Sequence, residues 1–165
     1  MSATLDILRS YRSPRSVMRR RIAGDANEAR AVVILIVGCG LLFIAQWPSL
    51  ARMAFEDPSI PLEARLGGAL FAWMFLMPLF LYALAGISRL IAALLRGQGT
   101  HYSARLALFW ALLASAPLWL FNGLVAGFIG PGPAANGTAL IAGVAFLWIW
   151  GAGLWETEHR HEASG

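Results

Sequence analysis

Residues 95–105 read LRGQGTHYSAR, and residues 106–129 continue as LALFWALLASAPLWLFNGLVAGFI. The first stretch is a short polar hinge that carries glycine and arginine. The second stretch is apolar throughout and is interrupted by a single proline, Pro117. It exceeds the roughly 20 residues that a helix needs to cross a bilayer. Together they predict a hinge followed by a membrane-spanning helix.

The composition indicates that most of the chain meets lipid. Hydrophobic residues make up 58% of the sequence, charged residues make up 13%, and the mean hydropathy is +0.63, whereas soluble domains carry about 25% charged residues. A chain of 165 residues has room for one domain. All 13 basic residues are arginines, and seven of them fall within the first 30 positions. A nucleic-acid-binding protein spreads its basic residues over a polar surface, so this clustering favours an anionic membrane face and no nucleic-acid partner.

Four apolar runs predict an all-α integral membrane bundle with four transmembrane helices, although a five-span interpretation stays possible. The spans are expected at about 31–47, 66–88 with an extension to 96, 106–129 and 138–155. We expect Trp47 and Pro48 to close the first span. Pro78 and Pro117 are expected to kink the second and third helices, because proline removes a backbone hydrogen bond.

The arginine-rich segment 1–30 precedes the first span and contains a predicted amphipathic helix. Leu5, Leu8 and Tyr11 are spaced so that they share one helical face. Ser13-Pro14 then restarts the chain. In the second segment the apolar Val17, Met18 and Ile22 alternate with arginines, which predicts the amphipathic helix. It is expected either to lie in the headgroup layer, where Arg15, Arg19, Arg20 and Arg21 would contact lipid headgroups, or to form a solvated tail that only sets topology. Arg96 and Arg105 flank the hinge, and they are predicted either to hold an anionic headgroup between them or only to set topology.

The distribution of arginines predicts the orientation. Eleven of them lie in the N-terminal segment, around the hinge or after the last span, and two, Arg52 and Arg65, lie in the other loops. The positive-inside rule then places both termini in the cytoplasm. We expect residues 156–165 to form a solvated cytoplasmic tail, and the protein to lie in the bacterial cytoplasmic (inner) membrane.

Four short motifs follow one another along the chain: Ser13-Pro14-Arg15, Ala45-Gln46-Trp47-Pro48, Gly97-Gln98-Gly99-Thr100 and Ala116-Pro117. Their order resembles the Yip family of Ypt/Rab-interacting multi-pass proteins, in particular its short bacterial members. The resemblance rests on four short motifs and runs from about Ser13 to Trp155. It implies a helical membrane bundle with a cytoplasmic N-terminus, and in eukaryotic relatives a role in vesicle traffic with Rab-type GTPases. This chain departs from the usual five spans, and it lacks the long acidic or aromatic N-terminal segment expected to engage a GTPase.

The predicted spans contain no Asp, Glu, His or Lys, which argues against membrane-embedded catalysis and proton coupling. We therefore expect no enzymatic activity, no metal and no cofactor. Asn122, Gly123 and Gly127 predict a close helix–helix contact, either within the bundle or with a partner protein or second copy. The leading hypothesis is an interaction or membrane-organising protein that contacts anionic lipids of the inner leaflet. The alternative is a small transporter or channel-like permease with a path past Asn122 and Pro117.

Overall fold

The computed structural model describes residues 3–23, 26–94, 97 and 99–158, and every regular element in these ranges is a helix. One continuous helix, Leu62–Leu94, contains a π-helical turn that divides it into two α-helical parts. In chain order the elements are α1 Ala3–Arg12, α2 Pro14–Ile22, α3 Glu28–Glu56, α4 Leu62–Phe71, the π-helical turn Ala72–Leu76, α5 Met77–Leu94, α6 His101–Phe128 and α7 Pro133–Glu158.

Four helices in the described ranges are long and apolar enough to cross a membrane: α3, the continuous helix α4–α5, α6 and α7. The shortest has 26 residues, which corresponds to about 39 Å at 1.5 Å per residue and exceeds a hydrocarbon core of ~30 Å. The predicted all-α architecture with four potential spans is confirmed. The lengths and the apolar composition of these helices are those of a multi-pass membrane protein.

The helix α6 forms the centre of the bundle. Half of its most apolar segment is buried, against 39% for α3, 17% for α7 and 11% for α4–α5. From Ser103 to Ala116 every residue except Arg105 is buried. The helix packs chiefly between α3 and α7, with α5 and the N-terminal helices against its remaining sides. The hinge and apolar run therefore produce the core of the fold.

Two glycines of α6 allow α3 to approach at backbone distance. A Cβ atom added to Gly123 would overlap the carbonyl group of Ala45, and one added to Gly127 would overlap Pro48. Small residues permit this kind of packing between membrane helices. The contact lies within one chain, so these glycines serve packing inside the bundle.

The helix α3 continues to Glu56, whereas the sequence predicted that Trp47 and Pro48 would close it. Proline removes only one intrahelical hydrogen bond, and the contact of Pro48 with α6 holds the continuation in place. The additional turns carry Arg52 to the end of α6, where it donates hydrogen bonds to the carbonyl oxygens of Gly127 at 3.2 Å and Phe128 at 3.4 Å. A cation at a helix C-terminus is favourable because it meets the negative end of the helix dipole.

The two prolines predicted to kink helices lie inside continuous helical segments. Pro78 follows the π-helical turn Ala72–Leu76, and the carbonyl group with which its ring would clash, that of Met74, lies within that turn. Pro117 lies within α6 and causes no break in it. The bend of the helix axis at each proline stays a prediction.

Replacing Gly123 with alanine should destabilise the bundle. The added methyl group meets the backbone of Ala45, and we expect a cost of roughly 1–3 kcal/mol in unfolding free energy. Gly143 of α7 is the matched control, because a Cβ there meets nothing within 4 Å. Gly143→Ala should be neutral or stabilising by about 0.5–1 kcal/mol.

Reversible unfolding of the purified protein in mixed micelles would measure both changes. Equal effects of the two substitutions would contradict a backbone-distance contact between α3 and α6.

Candidate functional site: an arginine groove on a docked N-terminal unit

The N-terminal segment forms two helices, α1 and α2, which we call the N-terminal unit. Helix α1 has Asp6 in its first turn and Arg9 and Arg12 in its last turn, which suits the helix dipole. Helix α2 begins with Pro14, whose fixed backbone angle favours the first helical position. Helices of 10 and 9 residues are marginal alone. Their packing on α6 and α7 therefore supplies much of their stability.

The apolar residues of α2 are buried in protein. Val17 and Met18 are 0% and 1% exposed and belong to the core around α6. On α1, Tyr11 packs against that core, but Leu5 and Leu8 face outward and are 52% and 67% exposed. Of the face predicted from the spacing, Tyr11 therefore contacts the bundle, whereas Leu5 and Leu8 do not.

A polar cluster around Trp110 of α6 fixes the N-terminal unit to the bundle. The buried indole Nε1–H of Trp110 donates a hydrogen bond to Oγ of Ser10 at 3.0 Å. The guanidinium carbon of Arg21 lies 3.4 Å from the centroid of a Trp110 ring, and Arg21 donates to Oδ2 of Asp6 at 3.0 Å. Burial lowers the pKa of Arg21, and the neighbouring charge of Asp6 opposes that shift.

Tyr11 connects the N-terminal unit to the middle of α6. Its hydroxyl donates a hydrogen bond of 2.7 Å to the carbonyl oxygen of Ala114, three residues before Pro117. Proline disturbs the hydrogen bonding of the preceding turn, and a neighbouring side chain can compensate. The contact of Tyr11 lies in the turn that Pro117 disturbs, at the carbonyl next to that of Leu113, which loses its amide donor.

The end of α7 holds the outer part of α2. Arg19 donates a hydrogen bond of 2.6 Å to Oε1 of Glu156. The sequence predicted a solvated tail from position 156, but α7 continues to Glu158, and Glu156 and Glu158 are only 9% and 8% exposed. Packing against the N-terminal unit and the hinge removes these carboxylates from solvent. Residues 159–165 lie outside the described residues.

A groove runs between the outward faces of α1 and α2, and we call it the arginine groove. Its cationic residues are Arg9, Arg12, Arg19 and Arg20. Leu5, Leu8, Ser13 and Ser16 complete its lining. No acidic side chain lines it. Because the N-terminal unit is docked, the backbones of α1 and α2 that carry these groups have fixed relative positions.

The six arginines predicted to contact lipid headgroups have different environments. Arg19 and Arg20 line the groove, and Arg15 lies beside it with its guanidinium carbon 5.7 Å from the Trp155 ring centroid. Arg21 is engaged inside the protein, since its side chain is 9% exposed. Arg105 pairs with Glu28 of α3. Arg96 lies outside the described residues.

Glu158 closes the hinge before α6. Its Oε2 accepts a hydrogen bond of 2.9 Å from the amide of Gly99 and lies 3.7 Å from Nη1 of Arg89. A Cβ atom at Gly97 or Gly99 would overlap the carboxyl group of Glu158. The hinge glycines are thus required for the close approach of α7, and Thr100 begins α6 with a capping box directly after them.

The polar side chain predicted at the helix contact, Asn122, bonds to α7. Its Nδ2 donates to the carbonyl oxygen of Ala135 and to Oγ1 of Thr138, both at 2.8 Å. Gly123 and Gly127, on the adjoining face, meet α3. The three residues therefore join α6 to two different helices, and they do not form one surface.

Sequence reasoning did not identify four residues that hold the N-terminal unit and the hinge: Asp6, Ser10, Glu156 and Glu158. Only the position of Asp6 and Ser10 one turn apart on α1 gave a signal, since that spacing places both on one face. Their partners are distant in the chain. Over the described ranges, no group of three or more His, Cys, Asp or Glu side chains is placed to hold a metal ion.

Comparisons with models of known protein families, with curated proteins and with solved structures each returned no match. The class of protein is therefore defined by the fold alone: in the part of the chain that the structure describes, every regular element is a helix and four helices are long and apolar enough to cross a membrane.

Replacing Arg21 with methionine should release the N-terminal unit. Methionine keeps apolar contact with Trp110 but leaves the largely buried Asp6 without its closest cationic partner. We expect a cost on the order of 3 kcal/mol in docking. Hydrogen–deuterium exchange should then rise across residues 3–22.

Arg12→Met is the control on the same unit, because the side chain of Arg12 pairs with no other described residue. It should leave exchange unchanged. Protection of residues 3–22 that survives Arg21→Met would contradict the role of this cluster.

Replacing Gly99 with alanine should destabilise the hinge by roughly 1–3 kcal/mol, because the methyl group meets the carboxyl group of Glu158. In a Glu158→Ala background the same substitution should cost little. A double-mutant cycle on thermal unfolding isolates this coupling from the separate cost of losing Glu158. The same cost in both backgrounds would show that the contact does not restrict position 99.

Proposed function

We propose that this chain is a non-enzymatic, multi-pass protein of the bacterial cytoplasmic membrane, of Yip type, that organises anionic lipids or holds another membrane protein as an accessory or assembly subunit. The observation that carries the proposal is the docked N-terminal unit. It covers the half of α6 that follows the hinge and presents an arginine-lined groove with no acidic lining residue. A basic surface with a fixed backbone geometry can recognise a particular ligand, whereas a free basic tail would only determine the orientation of the spans.

The position of the groove supports a role at the membrane surface. The same unit exposes Leu5 and Leu8 beside its arginines. Arginine with adjacent apolar side chains is the composition of helices that lie in the headgroup layer. An anionic leaflet provides both the phosphate and the apolar surface that these residues favour.

The charge distribution supports placement of this end in the cytoplasm. Of the 11 described arginines, nine lie at the end of the bundle that carries the N-terminal unit, and two, Arg52 and Arg65, lie at the other end. The positive-inside rule relates such an excess to the cytoplasmic side. The absence of Asp, Glu, His and Lys from the predicted spans supports a non-enzymatic role.

The Yip resemblance adds a protein-interaction role to the proposal. Such a role would place a membrane-protein partner or a second copy on the bundle. Gly123 and Gly127 are already occupied by α3, so a partner would bind a different face. The permease alternative gains nothing from Asn122, whose amide bonds to α7.

Purification from native membranes in a mild detergent tests the proposal. We expect the native mass to include a partner protein or anionic phospholipid retained above its share of the membrane. The variant Arg19→Gln/Arg20→Gln should reduce that retention severalfold, because each arginine contributes a charge-assisted hydrogen bond. Arg65→Gln, at the opposite end, is the control.

A monomer that retains neither protein nor anionic lipid would contradict the proposal. Solute uptake by vesicles that contain the purified protein would instead favour the permease.

A further inference from the structure

The arginine groove has the composition of a site for one amphiphilic anion. Its arginines come from both helices, with Arg9 and Arg12 on α1 and Arg19 and Arg20 on α2. Guanidinium groups bind phosphate through paired, charge-assisted hydrogen bonds. Arginines on two facing helices can contact a single phosphate from both sides.

The protein leaves the charge of this groove largely uncompensated. Arg19 and Arg20 are held from the bundle side by Glu156 and Asp6, yet their side chains remain 67% and 43% exposed. The side chains of Arg9 and Arg12 are exposed and make no hydrogen bond or ion pair with another described residue. Two guanidinium groups are therefore available to an external anion, and two more have donors to spare.

The apolar lining distinguishes a lipid from a soluble phosphate compound. Leu5 and Leu8 lie on the same wall as Arg9 and Arg12, and both are more than half exposed. A soluble phosphate would gain nothing from these leucines. The glycerol backbone and first methylenes of a lipid would bury them, at about 25 cal/mol per Å² of apolar surface removed from water.

We propose that the arginine groove is a discrete site for a single anionic phospholipid, with its phosphate between the α1 and α2 arginines and its acyl chains leaving along Leu5 and Leu8. The inference rests on the proposed function and specifies its ligand. Docking through Trp110 keeps the two walls of the groove at a fixed separation. The site therefore binds one molecule with a defined stoichiometry, whereas a basic surface would attract many anionic lipids diffusely.

Native mass spectrometry of the full chain, titrated with defined lipids, tests the site. The probes are phosphatidylglycerol and phosphatidylethanolamine with identical acyl chains, with soluble glycerol phosphate as competitor. We expect one phosphatidylglycerol to bind saturably, about tenfold more tightly than phosphatidylethanolamine. Glycerol phosphate at equal concentration should not displace it.

Variants then locate the site. Arg9→Gln/Arg12→Gln should weaken phosphatidylglycerol binding about tenfold, and Leu8→Asn should weaken it without removing a charge. Arg30→Gln removes an exposed arginine outside the groove lining and should change binding less than about twofold. Unchanged exchange protection of residues 3–22 confirms that each variant stays docked.

Three results would overturn the inference, and they separate it from the proposed function. If all variants prefer phosphatidylglycerol equally and binding does not saturate at one molecule, the discrete site is rejected but the membrane-organising role is kept. Displacement by glycerol phosphate identifies a soluble phosphate ligand instead. No preference for phosphatidylglycerol in the unmodified chain rejects the lipid site and the lipid part of the proposed function together.

Discussion

The enclosure of the first half of α6 by protein is the constraint on which the rest of the structure depends. Hydrocarbon offers no acceptor for the indole N–H of Trp110, and the bundle supplies one through Ser10. Helices α3, α5 and α7 leave one side of α6 to be covered, and the N-terminal unit covers it. The polar and apolar contacts between the N-terminal unit and α6 therefore determine where the arginines of α1 and α2 lie.

The acidic residues at this end of the bundle divide the arginines into two groups. Asp6 and Glu156 hold Arg21 and Arg19 towards the protein, while Arg9 and Arg12 pair with no carboxylate among the described residues. Ion pairs that are partly withdrawn from water are stronger than exposed ones. The same short segment can therefore be anchored by some of its arginines and present the others outward. A uniformly basic tail without carboxylates could not separate the two roles.

The sequence was sufficient to predict the helical class, the number of potential spans and the close contact at Gly123 and Gly127, because long apolar runs and small-residue spacing are local signals. It was insufficient for the docking of the N-terminal unit. Hydrophobic spacing placed Leu8 on one helical face with Leu5 and Tyr11, whereas the residue of α1 that the structure buries is Ser10, since a polar acceptor is needed at Trp110. That requirement comes from a residue 100 positions away, and one sequence carries no sign of it.

The ends of α3 and α7 were also not predicted correctly from the sequence. Pro48 was interpreted as a stop because proline lacks an amide hydrogen, but the contact of α3 with α6 outweighs one lost hydrogen bond. Glu156 was interpreted as the start of a solvated tail because charge usually indicates exposure. Its partner Arg19 lies far earlier in the chain. The assignment of the groove arginines to lipid stays a prediction.

The sequence separation of the docking contacts has a consequence for biosynthesis. The N-terminal unit leaves the ribosome first, but its partners on α6 and α7 follow 100, 103 and 137 positions later. Until α6 follows, its arginines have no docking surface, and they are free to attract the leaflet that fixes the orientation of the spans. Docking can begin once α6 is in place, and it is complete only when α7 has followed. A chain halted before α7 would still lack Glu156, the carboxylate that holds Arg19, and this would distinguish an unfinished molecule from a mature one.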